Sequence, residues 1–569
     1  MKKTKKLVAV FLALVLATVS LSACQTTGET ASGTDSASTS DSESQQEEET
    51  SSDGNRPTLT LFVDETWWAY DTWEGDIPEA FSDMVNVDIE ASRAVDSNQL
   101  QLMVASGDMP DLVCTANKQR MADSNVSYPL DELHEQFPDI DFPVHSVFQF
   151  VNRAADGHYY TIGVDFSPNS YYEEYPGILS EGPGFIIRKD MMEEMGNPPI
   201  ESFEDLENLF ARVKEEYPGV TPAVFNSVHT FNWVKMMMGI PMSTFYDTGD
   251  GSLAFQLRYP DQLEFYKTIN RWYREGYLLP ENFAFKTEDE SKEPLFSGKA
   301  FSSFGYTNNA DNYNPTILAN GDDFQFIQFS GIISDKAKMY NTNAAGRGLY
   351  ITRSCTDLEA AYRFLAAAYS DDGQKMLNWG IEGTDYTLDD QGYPEFNYDK
   401  ESDADLKPRG LKYWGWMVSS AYVNGVTNYH TGGEMLPALE SMATIAERNP
   451  VIGMVSFEAD SEESVILSKI NEMITTEQIK VYMAESEEAC EQAFQNMLST
   501  AESIGMEKLE DYANSVYPEL KAEYDQIADN NEGHKNLGAT TDFGPHILDV
   551  VQKSIFYLRK QLQRCTKGT

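Results

Sequence analysis

The chain has 569 residues, of which 41% are hydrophobic and 12% aromatic, an ordinary globular composition with material for more than one core. Its 91 acidic against 42 basic side chains give a formal charge of −49, which excludes nucleic acid as a partner and repels bare anionic lipid. Seven dispersed His and five scattered Cys, with no C-x-x-C pair, exclude a zinc cluster and a disulfide framework.

Residues 1–23 carry a basic start (Met1 to Lys6), an apolar run from Leu7 to Val19 and small residues before a cut, the three parts of a secretory signal. The run of 13 residues falls short of the about 20 that a spanning helix needs. Leu21-Ser-Ala-Cys24 resembles the bacterial lipobox, which implies a lipid-modified Cys24; the alternative is a chance cysteine beside an ordinary cut. From Gln25 to Arg56 no aromatic or branched aliphatic residue occurs, so residues 24–56 read as an acidic, disordered tether. As a flexible coil it reaches roughly 30 Å.

Thr58 to Val63 alternates and is β-rich, a first strand that opens into a loop holding Trp67, Trp68, Tyr70 and Trp73. Val87 to Ala91 reads as a second strand. Asn98 to Ser106 reads as a helix with Leu100, Met103 and Val104 on one side, stopped by Gly107 and Pro110. Asp111 to Thr115 is the third strand. Strand, helix, strand at this spacing predicts parallel pairing, and ligands in such sheets sit beyond the carboxyl ends of the strands. The aromatic loop and the stretch after Thr115 fall at that edge.

Gly184 to Arg188 is a further strand, and Ser202 is a plausible N-cap for a helix burying Phe203, Leu206, Phe210 and Val213, ended by Pro218-Gly219. Thr356-Asp-Leu-Glu359 reads as a capping box before a helix with Leu358, Tyr362, Leu365 and Tyr369, and a short helix from Gly373 to Trp379 follows. Residues 461–530 read as several helices, with Ile466, Ile470 and Ile474 on one face and Leu509, Tyr512, Val516 and Leu520 on another. Residues 541–569 form a tail without a legible role.

Val104 to Asp111, Asp156 to Gly163, Ile186 to Met192, Phe296 to Ala300 and Leu377 to Tyr386 occur in that order. The series resembles extracellular solute-binding proteins of the sugar ABC importer type, in particular the large lipoprotein branch of Gram-positive bacteria. The resemblance implies an α/β, two-lobed periplasmic-binding-protein (type 2) fold with hinge strands and an extended C-terminal helical region. Lobe one would hold 57–162 and 347–425, lobe two 166–345 and 426–540. It also implies an oligosaccharide ligand held between the lobes, ABC transporter permease subunits as partners, no cofactor, a monomer, and a place on the extracellular face of the cell membrane, lipid-anchored. Some members carry a calcium loop where this chain has only Glu216 to Pro222, so no calcium is expected there.

A sugar offers an apolar ring face and a rim of hydroxyls, which calls for flat aromatics beside groups that donate and accept. Trp67, Trp68 and Tyr70 lie in a polar loop past the first strand, where at least one is expected to face the cleft. Trp379 precedes Gly380-Ile-Glu-Gly383 and stands between cleft wall and lobe packing. Glu382 could accept from two hydroxyls or be one solvated acid among many. Trp414 and Trp416 alternate and would share a side if they lie in a strand. Trp233 and Tyr306 are candidates by their position in lobe two, whereas Asp108 serves the turn before Pro110.

A glycosidase needs two placed carboxylates, and 91 acidic residues make any pair selectable. G-x-S-x-G, H-E-x-x-H and a P-loop are all missing, so the reading is a binding protein and not an enzyme. The alternatives are a surface glycan-adhering lipoprotein without a transporter and a secreted carbohydrate-active enzyme. Cys114 and Cys355 read as buried small hydrophobes, and pairing among Cys114, Cys355, Cys490 and Cys565 stays open.

Overall fold

The computed structural model describes residues 56–142, 146–167, 182–225, 231–285, 288–342, 344, 346–390, 392–398, 400, 403–431, 433–458 and 460–531. The signal segment, Cys24, the body of the tether, Cys565 and residues 541–569 lie outside them. The described residues belong to one compact unit.

In chain order the strands are β1 (Thr58–Val63), β2 (Asp88–Arg93), β3 (Leu112–Thr115), β4 (Pro183–Arg188), β5 (Thr221–Phe225), β6 (Phe245–Asp247), β7 (Leu253–Phe255), β8 (Ala300–Tyr306), β9 (Phe326–Gln328), β10 (Met339–Asn341) and β11 (Gly348–Ile351). The first sheet has the order β11-β3-β1-β2. β1 pairs parallel with β2, Thr58 opposite Asp88, and parallel with β3, Leu61 opposite Leu112. The helices Asp76–Val85 and Gln99–Ser106 make the two crossovers. Gly107 ends the second of them at φ 73°, a left-handed conformation that glycine adopts without a Cβ clash. β11 returns antiparallel, Gly348 opposite Thr115.

The second sheet has the order β5-β8-β4-β9, with β5 parallel to β8 and β4 antiparallel to both its neighbours. Gly184 on β4 admits no side chain, since a Cβ there would lie 2.0 Å from the Tyr306 carbonyl oxygen. The helix Phe203–Glu216 covers this sheet: Ser202 accepts from Asp205 N, and Leu206, Leu209, Phe210 and Val213 are buried. Each such side chain, fully buried, stabilises by about 1.5–3 kcal/mol. The helix stops at Glu216 and β5 begins at Thr221, so only Tyr217 to Val220 connect them.

Two large cores follow. One joins Leu61, Val63, Phe81, Leu112, Leu349 and Tyr362 with Trp414, and the other joins Phe185, Phe210, Trp272 and Phe304 with the C-terminal helices. The helix Ser146–Asn152, within the segment assigned to lobe one from sequence, buries Val147, Phe150 and Val151 in the second core. Three chain segments run side by side between the cores. Val164 N donates to Arg347 O at 2.8 Å, Asp165 N to Ser419 O at 3.1 Å, and Ala421 N to Phe166 O at 3.3 Å. The fold is the two-lobed α/β type with a C-terminal helical region, formed by helices Glu462–Tyr482, Glu487–Ile504 and Met506–Asn531. Ser461 and Ser486 cap the first two, each followed by two glutamates that suit the positive helix end.

Four local expectations are corrected. Gly415–Met417 is a 3-10 turn, so Trp414 and Trp416 do not share a strand face: Trp414 is buried and Trp416 half-buried. The cap of helix Leu358–Tyr369 is Asp357, which accepts from Ala360 N, because its carboxylate stands one residue nearer the helix than Thr356. In the last helix the buried face is Leu509, Ala513, Tyr517 and Tyr524, spaced at four, four and seven residues, leaving Val516 half-buried at its edge. The strand expected over Val87 to Ala91 runs Asp88–Arg93. Cys114, Cys355 and Cys490 are free and buried, and burial pushes the Cys114 thiol up to about 12.

Candidate functional site

Because β1 and β3 run parallel and β11 antiparallel, the exits of β1 and β3 and the entry to β11 meet at one sheet edge. There the residues are Asp64 and Glu65, Thr115 and Asn117, and Arg347. Asp64 N donates to Cys114 O at 2.9 Å. The Thr115 hydroxyl donates to the Asp64 carboxylate at 2.8 Å and accepts from Asn117 N at 3.0 Å. Burial holds the Asp64 carboxyl above the usual carboxylate range, opposed by the Thr115 donor and reinforced by the neighbouring Glu65 charge.

An aromatic shelf stands on the same edge. Trp67 Nε1 donates to Glu65 Oε2 at 2.7 Å, and Arg347 Nε donates to Glu65 Oε1 at 3.1 Å. Arg347 also donates to Trp416 O at 3.2 Å, and its guanidinium lies 5.2 Å from the Trp67 ring centre and 5.4 Å from that of Trp68. The Trp67 ring sits 5.5 Å from Trp68 and 6.0 Å from Trp416, and Trp68 sits 6.1 Å from Trp414. Tyr70 donates to Leu411 O at 3.0 Å from beneath. Trp67 is 51% exposed and Trp68 1%, so one ring of the shelf faces solvent and the other supports it.

Asp64, next to Glu65 in the chain, also lines a polar cavity of about 390 Å³. Asp64 and Asn117 line it from the first sheet's edge, Gln101 and Arg120 from the helices Gln99–Ser106 and Lys118–Met121, and Asp460, Ser464, Ser468 and Glu472 from the entry and N-terminal half of helix Glu462–Tyr482. At i, i+4 and i+8 the last three share one helix face. Two contacts bridge the cavity's walls. Arg120 binds Asp460 through both guanidinium nitrogens at 3.0 and 3.3 Å, and Gln119 Nε2 donates to Phe457 O at 2.7 Å.

Of the residues singled out from sequence, Trp67, Trp68, Tyr70, Trp414 and Trp416 come together in this shelf although two segments about 340 residues apart supply them. The others lie elsewhere. Trp379 is buried, edge-on to Tyr386 at 5.4 Å, with Nε1 donating to Thr427 Oγ1 at 2.7 Å. Glu382 is exposed on the turn after it. Trp233 is buried in the second core between Phe185 and Phe304, at 4.9 and 5.9 Å, and Tyr306 is half-buried at the end of β8. Asp64, Asn117, Arg120, Asp460 and Ser464 were not singled out. Asp64 and Asn117 follow within two residues of strand exits, the signal that could have found them, and Arg120 lies just beyond on the helix Lys118–Met121. Among the described residues no group of three or more His, Cys, Asp or Glu side chains is placed to hold a metal, and no helix is long and apolar enough to cross a membrane.

Residues 69–375 match the family model described as bacterial extracellular solute-binding protein. A search of curated proteins found no match. Among solved structures, the chain is similar to the alginate-binding protein AlgQ2, at 16% identity over 82% of this chain and 98% of that one, TM-score 0.59. It is similar to an HMO-binding, ABC-transporter-associated solute-binding protein from Bifidobacterium longum infantis, at 16% identity over 82% and 99%, TM-score 0.60. It is also similar to the S. pneumoniae ABC-transporter substrate-binding protein FusA in complex with kestose, at 14% identity over 82% and 100%, TM-score 0.62. At such identities the likeness is one of fold.

Proposed function

This chain belongs to the family of bacterial extracellular solute-binding proteins, and on that premise we propose that it captures a carbohydrate, an oligosaccharide, and delivers it to the permease of an ABC importer. The observation that carries the reading is the pairing of a half-exposed Trp67 shelf with a polar cavity at the exits of β1 and β3. An aromatic face meets the C–H side of a pyranose, and amides, hydroxyls and carboxylates meet its rim. The sugar ligands named for AlgQ2, the Bifidobacterium protein and FusA support the same class.

The proposal extends to mechanism. The lobes, 57–162 with 347–425 and 166–345 with 426–540, the helix Ser146–Asn152 packing with the second, turn about the three segments at Val164–Phe166, Gly346–Arg347 and Ser419–Ala421. A sugar touching both cavity walls favours the closed arrangement, since it makes its full set of contacts only there. The chain binds without turnover, acts as a monomer, and is held at the outer face of the cell membrane by lipid on Cys24. A thermal-shift screen of the full chain against a glycan panel tests the binding, because a ligand specific to the folded state raises its stability by RT ln(1 + [L]/Kd).

A further inference from the structure

We propose that the cavity admits uncharged glycans and rejects those bearing uronic acids, an inference that rests on reading the cavity as the sugar site. Its walls carry three carboxylates, Asp64, Asp460 and Glu472, against two cations, Arg120 and Lys469. The Arg120 guanidinium is already engaged by both oxygens of Asp460, at 3.0 and 3.3 Å. The other guanidinium at this edge, Arg347, is held by Glu65 and by the Trp416 carbonyl.

A ligand carboxylate therefore has three courses. It can displace Asp460 from Arg120, leaving the Asp460 carboxylate to face the ligand's own charge. It can meet Lys469, an exposed side chain three residues before Glu472 on the same helix, where solvent screening leaves an ion pair weak and the Glu472 charge opposes it. Otherwise it stands unpaired among Asp64, Asp460 and Glu472. Like charges at close range disfavour all three courses, most strongly where water is partly excluded. The whole chain adds to this, because a formal charge of −49 repels a polyanion before it reaches the mouth.

A hydroxyl has no such difficulty. It donates to the carboxylates of Asp64 and Glu472 and accepts from the amides of Gln101 and Asn117, while Ser464 and Ser468 can do either. The cavity thus offers a sugar rim partners on both walls through bonds that need no ligand charge. Glu472 and Asp64 are the residues that set this selection, since neither is paired to a cation in the way Asp460 is.

The test uses matched pairs: short gluco-, manno- and galacto-oligosaccharides and the same compounds oxidised at C6 to uronates, titrated calorimetrically into the full chain at low salt. The neutral member of a binding pair should bind at least about tenfold tighter than its uronate partner, equivalent to ~1.4 kcal/mol. The ratio should shrink at about 1 M salt, where the screening length falls to ~3 Å. Glu472→Gln, at an exposed helix position that does not threaten the fold, should narrow it, and adding Asp64→Asn should narrow it further. A uronate that binds as tightly as its neutral partner overturns the selection and leaves the sugar reading standing. Failure of every member of every pair to bind, with other classes of solute binding instead, overturns both.

Discussion

Replacing Trp67 by alanine separates a binding aromatic from a packing one. Trp67 is 51% exposed, whereas Trp68 beside it is 1% exposed. A tryptophan side chain presents about 250 Å² at most, so roughly half of it is open to a ligand. A sugar face covering about 60 Å² of that area, at ~25 cal/mol per Å², contributes about 1.5 kcal/mol, close to tenfold in Kd. Truncation also frees Glu65 Oε2 from its indole donor, while Arg347 still holds Oε1. Trp67→Ala should therefore weaken the best glycan of a panel about tenfold and leave the melting temperature nearly unchanged. Trp68→Ala, by contrast, removes a buried ring at about 3–5 kcal/mol of stability. Calorimetric titration and a melting curve on both variants decide it. Equal affinity for wild type and Trp67→Ala, or a loss of stability in Trp67→Ala as large as in Trp68→Ala, would refute the reasoning.

Cys24→Ser should abolish lipid labelling and release the exported chain from membranes or leave it unprocessed, read by fractionation; normal processing with lipid attached contradicts the anchor. Glu523 accepts from Arg153 at 2.9 and 2.7 Å, and this donor holds its carboxyl below the usual range. A depressed folded pKa gives stability that is present above the unfolded value near 4.5 and fades as pH falls through the folded one. Glu523→Gln should accordingly lower stability at pH 7 by about 0.2–1 kcal/mol, the range for a solvent-screened pair, with the difference vanishing in acid; a difference that grows in acid reverses the sign of the argument. Small-angle scattering at sugar saturation should give a smaller radius of gyration than the free chain, and an unchanged radius would sink the closing motion.

The first sheet was legible because its strands are short apolar runs separated by a glycine-stopped helix, and parallel order follows from that spacing. Parallel order in turn placed the exits after Val63 and Thr115 at one edge, where Asp64 and Asn117 lie. The aromatic loop was visible as composition, but which indole faces outward depends on Trp414 and Trp416, more than 300 residues away and set at a 3-10 turn, Gly415–Met417, that alternation alone does not distinguish from a strand. Burial of Trp68 beneath Trp67 is thus a tertiary fact. The far wall was hidden for a related reason. Ser464, Ser468 and Glu472 look like the solvated face of any amphipathic helix opposite Ile466 and Ile470, until Arg120 meets Asp460 across 340 residues of chain. Trp379 and Trp233 are buried where long-range packing, unseen in their local sequence, encloses them.

The most direct test of carbohydrate capture is calorimetric titration of the full chain with the oligosaccharide that most raises its melting temperature, followed by analysis of the recovered sugar. Saturable one-to-one binding, weakened by Trp67→Ala and returning the sugar intact, is the expected result. Absence of a thermal shift with every glycan in the panel, or steady release of reducing ends in proportion to protein, would contradict it.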